Sequence, residues 1–147
     1  APTEVLAHQH YATFKKFLSD FTAVIGLLTS SSAKIFYGDN LETEIKKQDF
    51  IKKIASGEIK IIIGTHALIQ KDIKFNDLAF VVVDEQHRFG VKQRAELIDQ
   101  SPDILPHFLS MSATPIPRTL TLTIFGDLDL SIISELLKGR KEIISNS

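Results

Sequence analysis

The stretch FVVVDEQHRFG, from Phe80 to Gly90, decides the fold of this chain. Four apolar residues lead directly into two adjacent carboxylates, Asp84 and Glu85. Valine-rich segments favour the interior of a β-sheet, whereas carboxylates favour water, a metal ion or a partner. The stretch therefore predicts either an ordinary strand end that reaches solvent or a strand that carries two acids to a reaction site.

The overall composition bounds the class of protein. Of the 147 residues, 44% are hydrophobic and 24% are charged, which is typical of a globular domain, and the net charge is −1. The chain has no cysteine, so disulfides and cysteine-based zinc sites are excluded. No run of about 18 apolar residues occurs, so we expect no membrane span. The basic excess of many nucleic-acid-binding proteins is missing, so any contact with DNA or RNA has to be local.

Strand and helix patterns alternate along the chain. Four short apolar segments are predicted to be β-strands, at residues 23–29, 59–65, 79–85 and 107–114. Three of them are nearly continuous apolar runs, the pattern of strands buried on both faces of a parallel sheet. Helical periodicity is found at residues 3–18, 42–57, 88–99 and 116–127. The alternation predicts an α/β domain, doubly wound, with a parallel sheet and helices on both of its faces.

Local signals mark the ends of two helices and one loop. Thr3 follows Pro2 and is the predicted N-cap of the first helix. Gly57 is predicted to follow the last turn of the second helix, where glycine tolerates a left-handed backbone. The polar stretch 30–40 is predicted to be a loop.

Polar residues end each of the predicted strands. They are Thr29–Ser31 for the first, Gly64–His66 for the second, Asp84 and Glu85 for the third, and Ser112–Thr114 for the fourth. Because the carboxyl ends of parallel strands meet at one edge of a sheet, where ligands bind in open α/β folds, we expect these residues to converge.

The two acids are suited to nucleotide chemistry, but a simpler reading exists. Asp84 at a strand end resembles a Walker B aspartate, which holds a Mg²⁺ that bridges nucleotide phosphates, and Glu85 is suited to polarise the attacking water as a general base. The alternative is that two solvated acids simply open a loop, and VVVDE alone fits both interpretations.

The other polar motifs are weaker when taken singly. The hydroxyls of Ser112 and Thr114 are suited to bond across to the acids, but such residues also cap strand ends. Gly64 and Thr65 are suited to present backbone N–H groups and a hydroxyl to a phosphodiester, but they also suit a tight strand-to-helix turn. The five histidines predict no metal site, because His8 and His10 face different sides of a helix.

Taken in order and at their spacing, five segments resemble the motifs of superfamily 2 DNA helicases, in particular those of the RecG type. The segments are APTEVLAHQH (motif Ia), GTHALIQ (motif Ib), VVVDEQHRFGVKQR (motif II), SMSATPIPRTL (motif III) and the following TIFGDLDLSII. The resemblance covers nearly the whole chain and is weakest at residues 30–49 and in the last few residues. It implies a RecA-like fold of the P-loop NTPase type, incomplete at its N-terminus.

The resemblance implies roles for the nucleotide-site residues. Asp84 is the Mg²⁺-coordinating acid and Glu85 the acid that activates water, while Gln86 and His87 link the nucleotide site to motif III. Ser112, Ala113 and Thr114 form motif III, whose hydroxyls couple hydrolysis to DNA movement. Arg118 and Thr119 belong to a segment near the cleft between two motor domains.

The resemblance also implies partners. The predicted DNA-facing residues are Pro2, Thr3, Glu4, Gly64, Thr65 and His66, in contact mostly with the backbone of branched duplex DNA. The expected cofactors of the full-length protein are ATP and Mg²⁺. The full-length protein is expected in the bacterial cytoplasm, associated with the nucleoid. The expected partners are DNA and the remaining domains of the parent chain, with self-association through exposed sheet edges.

Three departures from the family pattern stand out. The chain reads LLTSS where the family reads LLTGS, which places Ser30 at a glycine position, and ELLKGRK where the family has two prolines, at Leu137 and Lys138. No G-x-x-x-x-G-K-[ST] loop occurs in these residues. We therefore expect these 147 residues alone neither to hydrolyse ATP nor to bind it tightly.

The chain is accordingly expected to be a partial first motor domain, residues 1–136, followed by a linker or tail, residues 137–147. Its function is that of an ATP-dependent DNA helicase that remodels forks and Holliday junctions in recombination and repair. Two alternatives stay open: the translocase domain of a transcription-repair coupling factor, and a helicase-like module that binds DNA or a partner without turnover. A receiver-like domain is disfavoured, because it needs a lysine at a late strand end, whereas the last predicted strand ends in Ser112, Ala113 and Thr114.

Overall fold

The computed structural model describes residues 1–84, 96–97, 105–113, 129 and 131–133. The elements in chain order are α1 (Glu4–Phe17), β1 (Ile25–Leu28), β2 (Ala33–Phe36), β3 (Glu42–Glu44), α2 (Lys47–Ala55), β4 (Ile61–Gly64), a short 3-10 helix (His66–Ile69), β5 (Phe80–Val83) and β6 (His107–Ser110). All four predicted strands are present as β1, β4, β5 and β6. The chain divides into two compact units, Ala1–Ala113 and Thr114–Ser147.

The strands form two sheets. One has the order β3-β2-β1-β4 and the other pairs β5 with β6. β1 runs parallel to β4 with Leu28 opposite Gly64, and β5 runs parallel to β6 with Val83 opposite Ser110. These two pairs confirm the predicted parallel arrangement. β2 is antiparallel to both β1 and β3, so the first sheet is mixed rather than parallel.

The prediction of a loop at residues 30–40 is wrong, because this stretch contains β2. Ala33, Ile35 and Phe36 are buried, and the chain then turns at residues 38–40. Gly38, Asp39 and Asn40 have φ of 92°, 46° and 60°, the left-handed backbone that these residue types tolerate best. A different short turn, residues 29–32, joins β1 to β2. Because a parallel pair needs a much longer connection, these two strands have to be antiparallel.

The second predicted helix begins later than the sequence pattern suggested. Residues 42–44 form β3, whose side chains are all exposed, and α2 begins at Lys47. Lys15 of α1 contacts Glu42 with Nζ 2.5 Å from Oε2, and this ion pair lowers the pKa of Glu42. The end of α2 agrees with the prediction, since Gly57 has a φ of 73°.

The core lies on both faces of β1. On one face Ile25 and Leu27 pack with Ala7 and Tyr11 of α1. On the other face Leu28 packs with Phe50 and Ile54 of α2, together with residues that share this cluster: Ala33, Ile35, Ile59, Ala67 and Ile73. The predicted helices on both faces are therefore present, and β1 is fully buried as expected.

Gly26 has no side chain, and this leaves space for the Phe50 ring to pack against β1. A Cβ built at this position lies 2.6 Å from Phe50 Cζ and 2.9 Å from Ile59 Cγ2. The backbone of Gly26 lies outside the left-handed region, so the requirement for glycine is one of space.

β5 and β6 do not have the two-sided burial that their apolar runs predicted. Exposed and half-buried residues alternate along both strands. Phe80, Val82 and Leu109 share one face and are 56%, 47% and 45% exposed. The continuous apolar runs therefore predicted the strands β5 and β6 correctly, but they did not predict how far each face of these strands is buried.

The remaining predicted helices lie almost entirely outside the described residues. Of the segment 88–99 only Glu96 and Leu97 are described, and both are helical. The segment 116–127 lies outside the described part. Within that part, no helix has the length and apolar character needed to cross a membrane.

Replacing Gly26 with alanine is expected to lower the melting temperature of the chain. The added methyl group overlaps the Phe50 ring and the Ile59 side chain, and overpacking of this kind costs about 1–3 kcal/mol. Thermal unfolding followed by circular dichroism measures the loss. Phe50→Leu removes the nearest ring atoms, so the double variant is expected to lose less than the sum of the two single variants; additive losses would contradict the overlap.

Candidate functional site

Asp84 follows β5 directly and contacts helix α1. Its Oδ2 lies 3.0 Å from Nε2 of His10, a residue 74 positions earlier in the chain. An ionised carboxylate can only accept, so the imidazole Nε2–H donates. The side chains of His10 and Asp84 are 38% and 27% exposed. The acid is thus held on one side and open to solvent on another.

The segment before α1 contacts the end of β4. The Ala1 nitrogen donates to the carbonyl oxygen of Gly64 at 2.7 Å. Gly64, one of the strand ends that the sequence predicted to converge, therefore lies against the segment that leads into α1.

Glu4 joins the first turn of α1 to the turn after β1. Its Oε1 accepts from the Ser30 hydroxyl at 2.5 Å and from the Ser30 N–H at 3.1 Å, and its Oε2 accepts from the Ser31 hydroxyl at 2.7 Å. The Ser30 hydroxyl first, and then that of Ser31, lower the pKa of the Glu4 carboxyl. This acid is a local anchor for α1.

The turn after β1 accommodates Ser30 without strain. Buried Thr29 accepts from the Ser32 N–H at 3.1 Å and bonds its own N–H to the Ser32 carbonyl at 2.9 Å. Among the described non-glycine residues, only Asp39 and Asn40 have a positive φ. The serine at this glycine position therefore needs no left-handed backbone, and its hydroxyl binds Glu4.

Gly64 is required by packing between β1 and β4. A Cβ on this residue would lie 2.2 Å from the Leu28 carbonyl oxygen. Thr65 then donates its N–H to the same Leu28 oxygen at 3.3 Å, and its hydroxyl accepts from the Ala67 N–H at 3.4 Å. The tight turn expected for GTHALIQ is present, and it leaves His66 exposed.

Thr3 begins α1 as predicted. Its hydroxyl accepts from the Leu6 N–H at 3.3 Å, and its carbonyl accepts from the Ala7 N–H at 3.0 Å. Pro2 is half-buried and Thr3 is exposed. The predicted DNA-facing residues thus lie at two helix starts, those of α1 and of the 3-10 helix.

Several predicted site residues lie outside the described part of the chain. These are Glu85, Gln86, His87, Thr114, Arg118 and Thr119. Ser112 and Ala113 are described and exposed just beyond β6, the strand that pairs with β5. The parallel pairing therefore brings Val83 of motif II beside Ser110 of motif III.

The described residues supply one suitable Mg²⁺ ligand rather than a complete site. Among them, no group of three or more His, Asp or Glu side chains is arranged to hold a metal ion. Asp84 fits a different type of site, in which one or two carboxylates bind Mg²⁺ together with substrate phosphates and water. Its half-exposed carboxylate at a strand end has the required oxygen donors.

The sequence patterns did not predict that His10 contacts Asp84, or that Ser30 and Ser31, two of the polar residues after the first strand, bind Glu4. His10 nevertheless has a spacing that carries a signal. It lies three residues after Ala7 and one before Tyr11, and both of these are buried. Helical periodicity therefore turns His10 towards the protein rather than away from it.

Comparison with known proteins gives a consistent result. A model of the family described as DEAD/DEAH box helicase matches residues 1–123. The ATP-dependent DNA helicase RecG of Aquifex aeolicus is 49% identical over 144 residues, which are 98% of this chain and 17% of that protein. The proteins of the same name from Pasteurella multocida and Bacillus subtilis are 45% and 43% identical over 97% of this chain, and over 20% and 19% of their own lengths. The chain spans about a fifth of these relatives.

Removing the charge of Glu4 is expected to destabilise the chain in a pH-dependent way. The folded-state pKa is lowered, so the carboxylate stabilises the fold fully above the ordinary glutamate pKa, about 4.3. That contribution is lost as the pH falls through the lower folded-state value. Melting temperatures of wild type and Glu4→Gln should therefore differ at pH 7 and converge in acid. Glu44→Gln, on the exposed strand β3, is the charge-matched control; an equal loss there would contradict the role of Ser30 and Ser31.

Proposed function

The chain belongs to the DEAD/DEAH box helicase family, and from this we propose that it is the greater part of the first motor domain of a RecG-type, ATP-driven DNA helicase. Because it spans about a fifth of its relatives, the activity belongs to a longer protein of which these residues form a segment. In that protein, cycles of ATP binding and hydrolysis open and close the cleft between two motor domains.

One observation carries the proposal. Asp84 stands at the carboxyl end of β5, Ser112 and Ala113 follow the parallel partner strand β6, and His10 connects Asp84 to α1. This arrangement supports a site at which motifs Ia, II and III act together. The half-exposed Asp84 carboxylate remains accessible to a ligand.

The roles at the nucleotide site are those that the resemblance to the helicase motifs implies. Asp84 would hold a Mg²⁺ ion, which would neutralise charge on the nucleotide phosphates. Glu85 accepts a proton from the attacking water as general base. We assign to Gln86 and His87 the link from this site to Ser112, Ala113 and Thr114, which pass the change on to the DNA side, and to Arg118 and Thr119 a role near the interdomain cleft.

We place the DNA contacts at the two helix starts. Pro2 and Thr3 at the start of α1 and Thr65 and His66 at the start of the 3-10 helix are exposed or half-buried, so they are open to contact with the DNA backbone. Contacts of this kind carry no sequence information, which suits an enzyme that slides on any DNA. Glu4 acts here as an anchor, because its carboxylate is engaged by Ser30 and Ser31.

The substrate we propose is branched duplex DNA, with fork reversal and Holliday junction migration as the outcome, in the bacterial nucleoid. The relatives described above, all RecG helicases, support this over the coupling-factor alternative. The domain limits remain those proposed from sequence, 1–136 for the partial motor domain and 137–147 for the linker.

Substituting the acids of motif II is expected to stop turnover in the full-length protein. Glu85→Gln and Asp84→Asn should each lower the DNA-stimulated ATPase rate by about 100-fold or more, because the general base and the metal ligand are lost. Asp77→Asn, an exposed acid before β5, serves as the control. The isolated 147 residues should show no ATPase; a rate in that piece that Glu85→Gln abolishes would contradict the proposal.

The isolated piece is also expected to self-associate. β3 protects its edge with Glu42 and Glu44, whereas β4 is an outer strand of the described sheet with Ile61–Ile63, and Phe80 and Val82 are exposed on β5. Sedimentation at rising concentration measures the assembly, and Val82→Thr should weaken it. A clean monomer at all concentrations would contradict this expectation.

A further inference from the structure

The position of His10 on α1 is set by its neighbours. Ala7 and Tyr11 are both buried against β1, so the helix cannot rotate without exposing them. His10 lies between them in sequence and its imidazole reaches Asp84, with Nε2 3.0 Å from Oδ2. A helix anchored in the core thus fixes one oxygen of the motif II acid.

This hydrogen bond does not depend on a charged histidine. The carboxylate has no proton to give, so the imidazole needs only an N–H at Nε2, which the neutral ring also has in one tautomer. With Oδ2 held by His10, rotation of the carboxylate is restricted and Oδ1 keeps a constant direction. Partners that hold a metal-binding carboxylate in this way tune the affinity for the metal.

We propose that His10 is a positioning residue that holds the Asp84 carboxylate in the orientation needed for Mg²⁺-nucleotide and ties that orientation to helix α1. The inference rests on the proposed function, and it adds a role that the motif II residues themselves do not define. His10 touches neither nucleotide nor DNA; it acts through Asp84.

The same helix connects His10 to the DNA side. Glu4, six residues earlier, is anchored to Ser30 and Ser31, and the two side chains are separated by about 9 Å along the helix axis. A displacement of the α1 start by DNA therefore moves His10, and with it Asp84. This connection does not pass through motif III.

A purely stabilising role does not explain the contact well. The two side chains are 38% and 27% exposed, and pairs with this much solvent contribute little to the free energy of folding. The hydrogen bond from His10 controls the orientation of the Asp84 carboxylate instead. The expected signature is therefore a change in Mg²⁺ dependence rather than a loss of fold.

The test compares His10→Leu, His10→Gln and His8→Leu in the full-length protein. The measured quantity is the Mg²⁺ concentration that half-saturates binding of a fluorescent, non-hydrolysable ATP analogue, without turnover. His10→Leu should raise this concentration roughly 10-fold or more. Glutamine, which supplies an N–H at a similar reach, should restore most of the affinity for Mg²⁺. His8 is exposed on the same helix, so its variant should match wild type.

Two further measurements separate the possible failures. DNA affinity without nucleotide and the melting temperature of His10→Leu should both stay close to those of wild type, because so exposed a pair contributes little to folding. If wild type binds the analogue and His10→Leu needs no more Mg²⁺, or if its higher Mg²⁺ requirement comes with a large drop in melting temperature, the role of His10 is overturned while the proposed function stands. If full-length wild type binds no nucleotide, both are overturned.

Discussion

The parallel pairing of β1 with β4 is the constraint on which the rest of the described structure depends. It requires glycine at position 64, because a Cβ there would lie 2.2 Å from the Leu28 carbonyl oxygen. It also buries β1 on both faces, so α1 and α2 pack on opposite sides of one strand. The register that pairs Leu28 with Gly64 brings Thr29 and Thr65 to the same edge.

Helix α1 and the residues before it form hydrogen bonds to the ends of three strands. Ala1, three residues before the helix, bonds to the end of β4, the first turn of the helix bonds through Glu4 to the turn after β1, and its middle bonds through His10 to Asp84 at the end of β5. Each of these contacts involves a different strand end. Besides the DNA contacts proposed for it, motif Ia therefore joins three strand ends, one of which carries Asp84.

The serine at position 30 shows how a departure from a family pattern can be compensated. A glycine there can adopt any backbone, but the turn observed here does not use the left-handed region at this residue. Because this turn does not require glycine at position 30, a serine fits there, and its hydroxyl binds Glu4. The consequence is a negative side chain at a helix start whose oxygens are hydrogen-bonded within the chain.

The sequence by itself determined the strands β1, β4, β5 and β6, the start of α1 at Thr3 and the end of α2 at Gly57, because apolar runs and caps are local properties of the chain. Motif order further indicated the helicase family. Only the tertiary structure decided that residues 33–36 and 42–44 are strands, since their pairing depends on β1 rather than on their own composition. It also decided that β5 and β6 are half-exposed and that His10 binds Asp84. These features depend on contacts between residues far apart in the chain, 74 positions in the last case, and local patterns do not encode such contacts.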